Sequence, residues 1–206
     1  MDQSEQGFGC NIEGLDETGY PYELISGGSI TLPNSFRVSN PKFYQGTIDA
    51  CVGMASAGAK STQEKIKLSP RFSWHLAKKL DGYVGWGTSV TQTLKGMRTV
   101  GALPFGTIDE SVNVSREDYM KPVITPDMEK VAAQYKIESY WLAGYAASNI
   151  LGIKTALFQK EIPLITSMVW YSEHNAPVKG FLPKRTSQSG LGHCYVFSGW
   201  DVDTNS

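Results

Sequence analysis

The size and charge of the chain exclude several classes of protein before any motif is considered. With 206 residues, 41% of them hydrophobic and 19% charged, it is long enough for one substantial domain or for two lobes, and its composition is ordinary for a globular protein. The 19 basic and 20 acidic residues give a net charge of −1, and this balance does not indicate a nucleic-acid partner. No run of about 18 apolar residues is present for a transmembrane helix. We therefore expect neither nucleic acid nor a membrane as a partner.

The three cysteines, Cys10, Cys51 and Cys194, cannot all pair within one chain, and they form no Cys-x-x-Cys motif. This usage is typical of a reducing compartment and argues against a disulfide framework or a cysteine-rich zinc site. The first residues also lack the basic and apolar regions of a secretory signal. The sequence thus predicts a non-secreted protein that needs no metal and no cofactor.

In chain order, the first half is dominated by helical signals. Residues 1–35 are rich in Gly, Ser, Pro and Asn and predict an extended arm along the body of the protein, without the helical pattern of a folded inhibitory pro-domain. Helices are predicted next over residues 51–66, 69–81 and 88–100. Closely spaced small residues indicate the first, and a capping serine followed by proline begins the second.

The second half mixes helices with strands. After an irregular connection over residues 102–125, the patterns predict a short helix at 127–135, a strand at 138–143, a helix at 150–160, a buried strand at 163–171, a loop over 175–192 and a strand at 193–200. Because helices crowd the first half and strands the second, the predicted fold class is α+β with two lobes. The helical lobe is expected over about residues 36–125 and the β-rich lobe over about 126–206.

Gln45, Cys51 and His193 together predict a thiol nucleophile site. A thiol attacks as its thiolate, which is stabilised by a helix N-terminus and by a nearby imidazolium. Cys51 opens a predicted helix, and His193 opens a strand directly after a Gly-rich loop. Most cysteines inside cells are simply small buried residues, so the combination carries the prediction. The other two histidines, His75 beside two lysines and His174 in a loop, are predicted to be solvated.

Two motifs carry a family resemblance: Gln45-Gly46 followed by Cys51, and Gly192-His193 followed by an apolar strand that ends at Gly199-Trp200-Asp201. They are similar to the motifs of the papain-like (C1) cysteine peptidases. The stretch from Leu68-Ser69-Pro70 to Leu103-Pro104 further resembles prokaryotic and phage-type members. The resemblance covers about residues 33–203, most of the chain.

The resemblance implies a papain-like, two-lobed fold that binds a peptide or protein substrate in the cleft between a cysteine-bearing and a histidine-bearing lobe. Cys51 is then the nucleophile, and His193 is the general base and later the general acid for the leaving amine. Gln45 donates toward the oxyanion together with the Cys51 backbone N–H. The residues assigned to substrate binding are Gly85, Trp86, Gly87 and Gly192. The implied activity is hydrolysis of peptide bonds through a thioester acyl-enzyme, in an enzyme without a pro-domain.

Four departures from the family pattern keep alternatives open. The family's orienting asparagine has no good counterpart, since Asn205 lies too close to the histidine strand. Asp49 replaces a glycine, Ile48 a disulfide cysteine and Val52 an aromatic residue. A carboxylate two residues from Cys51 opposes thiolate formation, although it can serve as the helix N-cap.

These departures favour a second interpretation, a catalytically impaired papain-fold module that is a structural or binding component, for example of a phage particle or protein complex. A transglutaminase or another acyl transferase of similar geometry is a third. The expected location is cytoplasmic or virion-associated.

Overall fold

The computed structural model of the chain describes residues 9–11, 30–121, 123–141, 143, 150–179 and 181–201. Within them the helices are α1 (Cys51–Glu64), α2 (Pro70–Leu80), α3 (Val90–Thr99), α4 (Arg116–Met120), α5 (Pro126–Ala132) and α6 (Ile150–Lys160), with 3-10 turns at Ala133–Tyr135 and Ser172–Asn175. The strands are β1 (Ser35–Arg37), β2 (Leu164–Trp170), β3 (Leu191–Phe197) and β4 (Gly199–Asp201). In this described part of the chain, no helix is both long and apolar enough to span a bilayer.

Helix α1 packs against α2, α3 and β3, and ten of its fourteen residues are buried. Its small side chains allow this close packing, as the sequence predicts. A Cβ added to Gly53 would lie 2.5 Å from the carbonyl oxygen of Pro70 and 2.8 Å from the Cβ of Trp74. The backbones of α1 and α2 therefore touch, and Cys51 begins a closely packed element.

Local capping signals set the ends of the other helices. The Ser69 hydroxyl accepts the backbone N–H of Phe72 at 2.9 Å, and Pro70 occupies the first turn of α2, as predicted. Helix α3 is capped by the side chain of Ser89, so it begins two residues later than predicted. The predicted helices near the positions of α1, α5 and α6 are confirmed within a few residues.

Two antiparallel strand pairs form the sheets of the described residues. In the pair of β2 with β3, Met168 lies opposite His193, and this pair packs against α1. In the pair of β1 with β4, Phe36 lies opposite Trp200. Strand β1 precedes Cys51 in the sequence and β4 follows His193, so this second pair joins the segments that flank the candidate site. The arrangement is α+β, as predicted.

Three predictions about strands and connections are wrong. The connection over residues 102–125 contains α4, because the side chain of Ser115 caps a helix there by accepting the N–H of Asp118. Residues 138–141 and 143, where a strand was predicted, form no strand, since a short apolar run pairs only where a partner strand is available. The prediction of a buried strand is wrong for β2, because six of its residues are partly exposed and Val169 is 37% exposed.

The two histidines predicted to be solvated are both buried. His75 has no exposed surface, because nine of the eleven residues of α2 are buried, and its Nδ1 lies 3.0 Å from the Tyr83 hydroxyl. Burial, and then the charge of Arg71, lower the pKa of His75 to about 4. His174 is 6% exposed, and its ring packs edge-to-face on that of Trp170 at 5.2 Å.

Candidate active site

Cys51 is the first residue of α1 and is 1% exposed. The N-cap residue, Ala50, makes no side-chain bond, so the backbone N–H groups of this helix end are available to other partners. The backbone groups of Gly9, Cys194 and Val52 face the sulfur and act to lower the thiol pKa. Three separate parts of the chain, the arm, β3 and α1, thus meet at this sulfur.

Burial is nevertheless the dominant influence on the Cys51 thiol. It raises the thiol pKa to about 12, and the neighbouring Cys10 is the second cause. The thiol is therefore protonated at neutral pH in this arrangement. Because Gly9 and Cys10 lie against the sulfur, part of this burial comes from the arm.

Asp49 does not cap α1, contrary to the sequence prediction, because Ala50 occupies the N-cap position. The Asp49 carboxylate, which is almost fully buried, forms an ion pair with Arg116 at 3.3 Å. The backbone carbonyl of Asp49 accepts the Nε1–H of Trp74 at 3.2 Å. The guanidinium offsets the negative charge near Cys51 and so weakens the repulsion that a carboxylate exerts on a thiolate.

His193 lies on β3, one residue before Cys194, whose side chain belongs to the same buried cluster as Cys51. The His193 ring packs edge-to-face on the ring of Trp170, with 5.1 Å between the ring centres. Burial lowers the pKa of His193. The imidazole and the Cys51 thiol are therefore both neutral in this arrangement.

Asn175 holds Trp170 against the candidate base. Trp170 Nε1 donates to Asn175 Oδ1 at 2.6 Å, and the ring of His174 packs on the same indole. Trp170 ends β2 and Asn175 ends the 3-10 turn that follows, so one short segment fixes the aromatic ring beside His193. The sequence analysis did not identify either residue. Asn205 lies outside the described residues.

Gln45 lies in the loop that leads into α1. Its Nε2 donates to the carbonyl of Ile48 at 2.6 Å. An amide nitrogen carries two hydrogens, so this bond fixes the direction of both. Gly46 has a φ of +60°, which glycine adopts readily and which turns the loop immediately after the glutamine.

Residues 9–11 of the arm lie as an extended segment against Cys51. The segment is held by three backbone hydrogen bonds, from Thr88 to Gly9 at 2.9 Å, from Asn11 to Thr88 at 2.8 Å and from Cys10 to Gly192 at 3.2 Å. Thr88 immediately precedes the cap of α3, and Gly192 lies on β3. The segment thus bridges the helical side and the strand side of the site.

Two of the four predicted substrate-binding residues contact this segment. Gly192 supplies the carbonyl that accepts a hydrogen bond, and a Cβ on Gly87 would lie 2.7 Å from Asn11 Oδ1. Trp86, which precedes Gly87 in the sequence, is partly buried. Gly85 is exposed at a φ of +63°, and no atom of the described residues lies within 4 Å of where its Cβ would stand. The structure therefore brings Gly87 and Gly192 to one peptide segment and leaves Gly85 at the margin.

Sequence reasoning missed Cys10 and Thr88 as members of the site. The available signal for Thr88 was its position directly after the glycine-containing turn that includes Gly87. Cys10 gave only the weak signal of a third cysteine between Gly9 and Asn11. Among the residues that the structure describes, no group of His, Cys, Asp and Glu side chains is arranged to hold a metal ion.

Comparison with known proteins fixes the fold. No family model and no curated protein matches the sequence. Among solved structures, the fold of this chain is similar to that of xylellain, a cysteine protease from Xylella fastidiosa. The TM-score is 0.75, and the identity is 20% over 96% of this chain and 81% of that one. It is also similar to digestive procathepsin L 3 of the Tenebrio molitor larval midgut, with a TM-score of 0.65 and 16% identity over 97% of this chain and 62% of that one.

The fold is papain-like. Identities of 20% and 16% show the fold alone, and the activity of this papain-like chain depends on the residues of its own site.

Proposed function

We propose that this chain is a papain-like cysteine peptidase that hydrolyses peptide bonds through a thioester acyl-enzyme. Cys51 is the nucleophile, and His193 accepts its proton and returns it to the leaving amine. Gln45 Nε2 and the backbone N–H of Cys51 donate to the oxyanion. The bond from Gln45 to the Ile48 carbonyl keeps this amide in one orientation, as a preorganised donor requires.

The observation that carries the proposal is the extended arm segment over Cys51. A peptide backbone already lies between Thr88 and Gly192 with hydrogen bonds to both. A substrate peptide in the same place would use the same carbonyl and amide groups, which supports Gly87 and Gly192 as substrate-binding residues. The proposal therefore includes a resting form in which residues 9–11 occupy the substrate cleft.

The resting form accounts for the protonated nucleophile. Residues 9–11 help to bury the sulfur, and burial raises the pKa of Cys51 to about 12. Withdrawal of the arm would let water reach the thiol and would reduce this effect. The helix N-terminus and His193 then act on a thiol that is easier to ionise.

A single substitution in the arm tests the proposal in the full chain. A Cβ on Gly9 would overlap the carbonyl oxygen of Asp49, so Gly9→Ala prevents the arm from seating. We expect faster labelling of Cys51 by a peptidyl epoxide and faster hydrolysis of a peptide library. The gain should be on the order of ten- to a hundredfold, because three backbone hydrogen bonds are lost.

Two controls complete this experiment. Cys51→Ala in the Gly9→Ala background should abolish both signals, whereas Cys194→Ala should leave labelling at Cys51. Absence of labelling and hydrolysis in Gly9→Ala, with the protein folded by circular dichroism, would contradict the proposal.

A catalytically impaired papain-fold module is the second candidate, and the neutral, buried Cys51 thiol favours it. Such a module would bind a protein of a phage particle or another complex and would not turn over peptides. The same Gly9→Ala variant decides between the two, because an impaired site stays inert after the arm is released.

A further inference from the structure

All three cysteines of the chain meet at the candidate site. Cys10 is 7% exposed, Cys51 1% and Cys194 3%, and the three side chains belong to one buried cluster with Val52 and Ala55. All three are free thiols. One comes from the arm, one from α1 and one from β3, so this cluster exists only while the arm is seated.

Within the cluster, the backbone of Cys10 is held beside the strand that carries Cys194. The Cys10 N–H donates to the carbonyl of Gly192 at 3.2 Å, two residues before Cys194, and the Cys10 and Cys194 side chains are both buried in the same cluster. Two cysteines on adjacent extended segments can be bridged when their Cα atoms lie about 4.4–6.8 Å apart, and residues 9–11 run beside β3. A bond between Cys10 and Cys194 would leave the Cys51 sulfur unmodified beneath the arm.

We propose that Cys10 and Cys194 form a reversible disulfide that fastens residues 9–11 over Cys51. The effect on peptide hydrolysis rests on the proposed function, whereas formation of the bond itself does not. The site is a redox latch: the oxidised chain holds the arm in the cleft, and the reduced chain lets it leave. A disulfide of this kind is transient in a compartment where thiols are kept reduced.

The oxidant is a low-molecular-weight disulfide such as oxidised glutathione. Opening of the arm exposes Cys10, whose thiolate attacks one glutathione sulfur and releases the other as glutathione thiolate. When the arm closes, the Cys194 thiolate attacks the Cys10 sulfur of the mixed disulfide and releases the second glutathione. The two protein thiols lose two electrons and two protons, and one glutathione disulfide becomes two glutathione molecules.

Bond formation is tested without reference to peptidase activity. In the full-length Cys51→Ala variant only Cys10 and Cys194 remain, since the chain has three cysteines. With oxidised glutathione we expect the intact mass to fall by two hydrogens, and peptide mapping after acid quenching to show Cys10 joined to Cys194. Cys51→Ser, a closer replacement for the thiol, should behave identically.

The matched control is the double variant Cys10→Ser, Cys51→Ala, which retains one thiol and should remain reduced or carry glutathione. If Cys51→Ala also stays reduced or stops at a glutathione adduct, under conditions that oxidise the urea-unfolded protein, the latch is rejected. Neither outcome depends on whether Cys51 hydrolyses peptides.

The effect on the cleft is measured by labelling Cys51 with a peptidyl epoxide. Treatment of the wild-type chain with oxidised glutathione should slow labelling on the order of a hundredfold, and dithiothreitol should restore it. Cys10→Ser should keep its labelling rate through the same treatment. Equal slowing in Cys10→Ser would assign the effect to oxidation of Cys51 itself and would overturn the latch.

Discussion

The helix that carries the candidate nucleophile and the hairpin that carries the candidate base are built differently. Ten of the fourteen residues of α1 are buried, whereas β2 has no fully buried residue and β3 has one, Cys194. The thiol is thus fixed in a dry, closely packed element, and His193 stands on a partly exposed hairpin against an aromatic ring. Burial should therefore limit the reactivity of Cys51, and side-chain orientation should limit that of His193.

The largest expected effect concerns the ionisation of the Cys51 thiol at the start of α1. Burial raises the pKa of Cys51 from 9.0 to about 12, so at pH 8 the thiolate population is about a thousandfold lower than that of an ordinary cysteine. Alkylation by iodoacetamide, followed by peptide-resolved mass spectrometry, should therefore accelerate steadily from pH 9 to 12. In Gly9→Ala the rise of the alkylation rate with pH should begin at lower pH. A wild-type plateau near pH 9 would show that burial does not control this thiol.

Substitution of two tryptophans distinguishes an effect on the stability of the fold from an effect on the orientation of the His193 ring. Trp74 is 1% exposed beneath α1, and Trp74→Ala should lower the free energy of unfolding by about 3–5 kcal/mol. Trp170 is only partly buried, so Trp170→Ala should cost less than about 2 kcal/mol. If the hairpin orients His193 as argued, Trp170→Ala should still lower kcat more than KM and shift the pH profile of kcat/KM. Urea unfolding and peptide hydrolysis measure both effects.

The matched variant is Trp170→Phe, which keeps an aromatic ring beside His193 and loses only the N–H that binds Asn175. It should retain more of kcat than Trp170→Ala does. An unchanged pH profile in both variants would remove Trp170 as a positioning residue.

His75 gives the helical side a characteristic sensitivity to acid. Its pKa is lowered from 6.5 to about 4, so the folded chain binds fewer protons than the unfolded chain between these values. The stability contributed by the neutral ring is present above pH 6.5 and is lost as pH falls toward 4, by up to about 3 kcal/mol. Urea unfolding across this range should show a shallower decline in His75→Gln. An equal decline in both proteins would assign the acid sensitivity to other groups.

The smallest effects come from two glycines of α1. Gly53→Ala should destabilise the fold by about 1–3 kcal/mol, since its Cβ would meet the Pro70 carbonyl oxygen at 2.5 Å. At Gly58 the nearest atom is the Asn40 side chain at 3.0 Å, which can move, and alanine favours the helix by about 0.5–1 kcal/mol. Gly58→Ala should therefore lie within about 1 kcal/mol of wild type. Equal losses would mean that α1 is packed as tightly against Asn40 as against α2.

Local signals predicted much of the fold and part of the site. Ser69 before Pro70 fixed the start of α2, and small residues indicated the close packing of α1, because both depend on neighbours in the chain. The environment of His75 depends on tertiary packing. Its lysine neighbours suggested water, yet Lys78 is itself buried and donates to Asp81 at 3.0 Å and to two backbone carbonyls.

The predicted catalytic residues came from motifs of short range, whereas the contacts that modify them come from distant parts of the sequence. Asp49 could be suspected of opposing a thiolate, but its partner Arg116 lies far along the chain. The same holds for Cys10 and Cys194, whose meeting depends on the path of the arm. Such pairings depend on which surfaces the fold brings together, and periodicity carries no information about that.

The pairing of β1 with β4 has a consequence for any molecule that competes with the arm. Because residues 9–11 lie in the cleft and β1 pairs with β4 from Ser35 onward, residues 12–34 connect a ligand to its own binding site. Binding is then intramolecular, with an effective concentration that is on the order of millimolar for short connections. A separate peptide of identical sequence would have to approach that concentration to compete, whereas a single cut within residues 12–34 would turn the arm into an ordinary peptide that is lost on dilution.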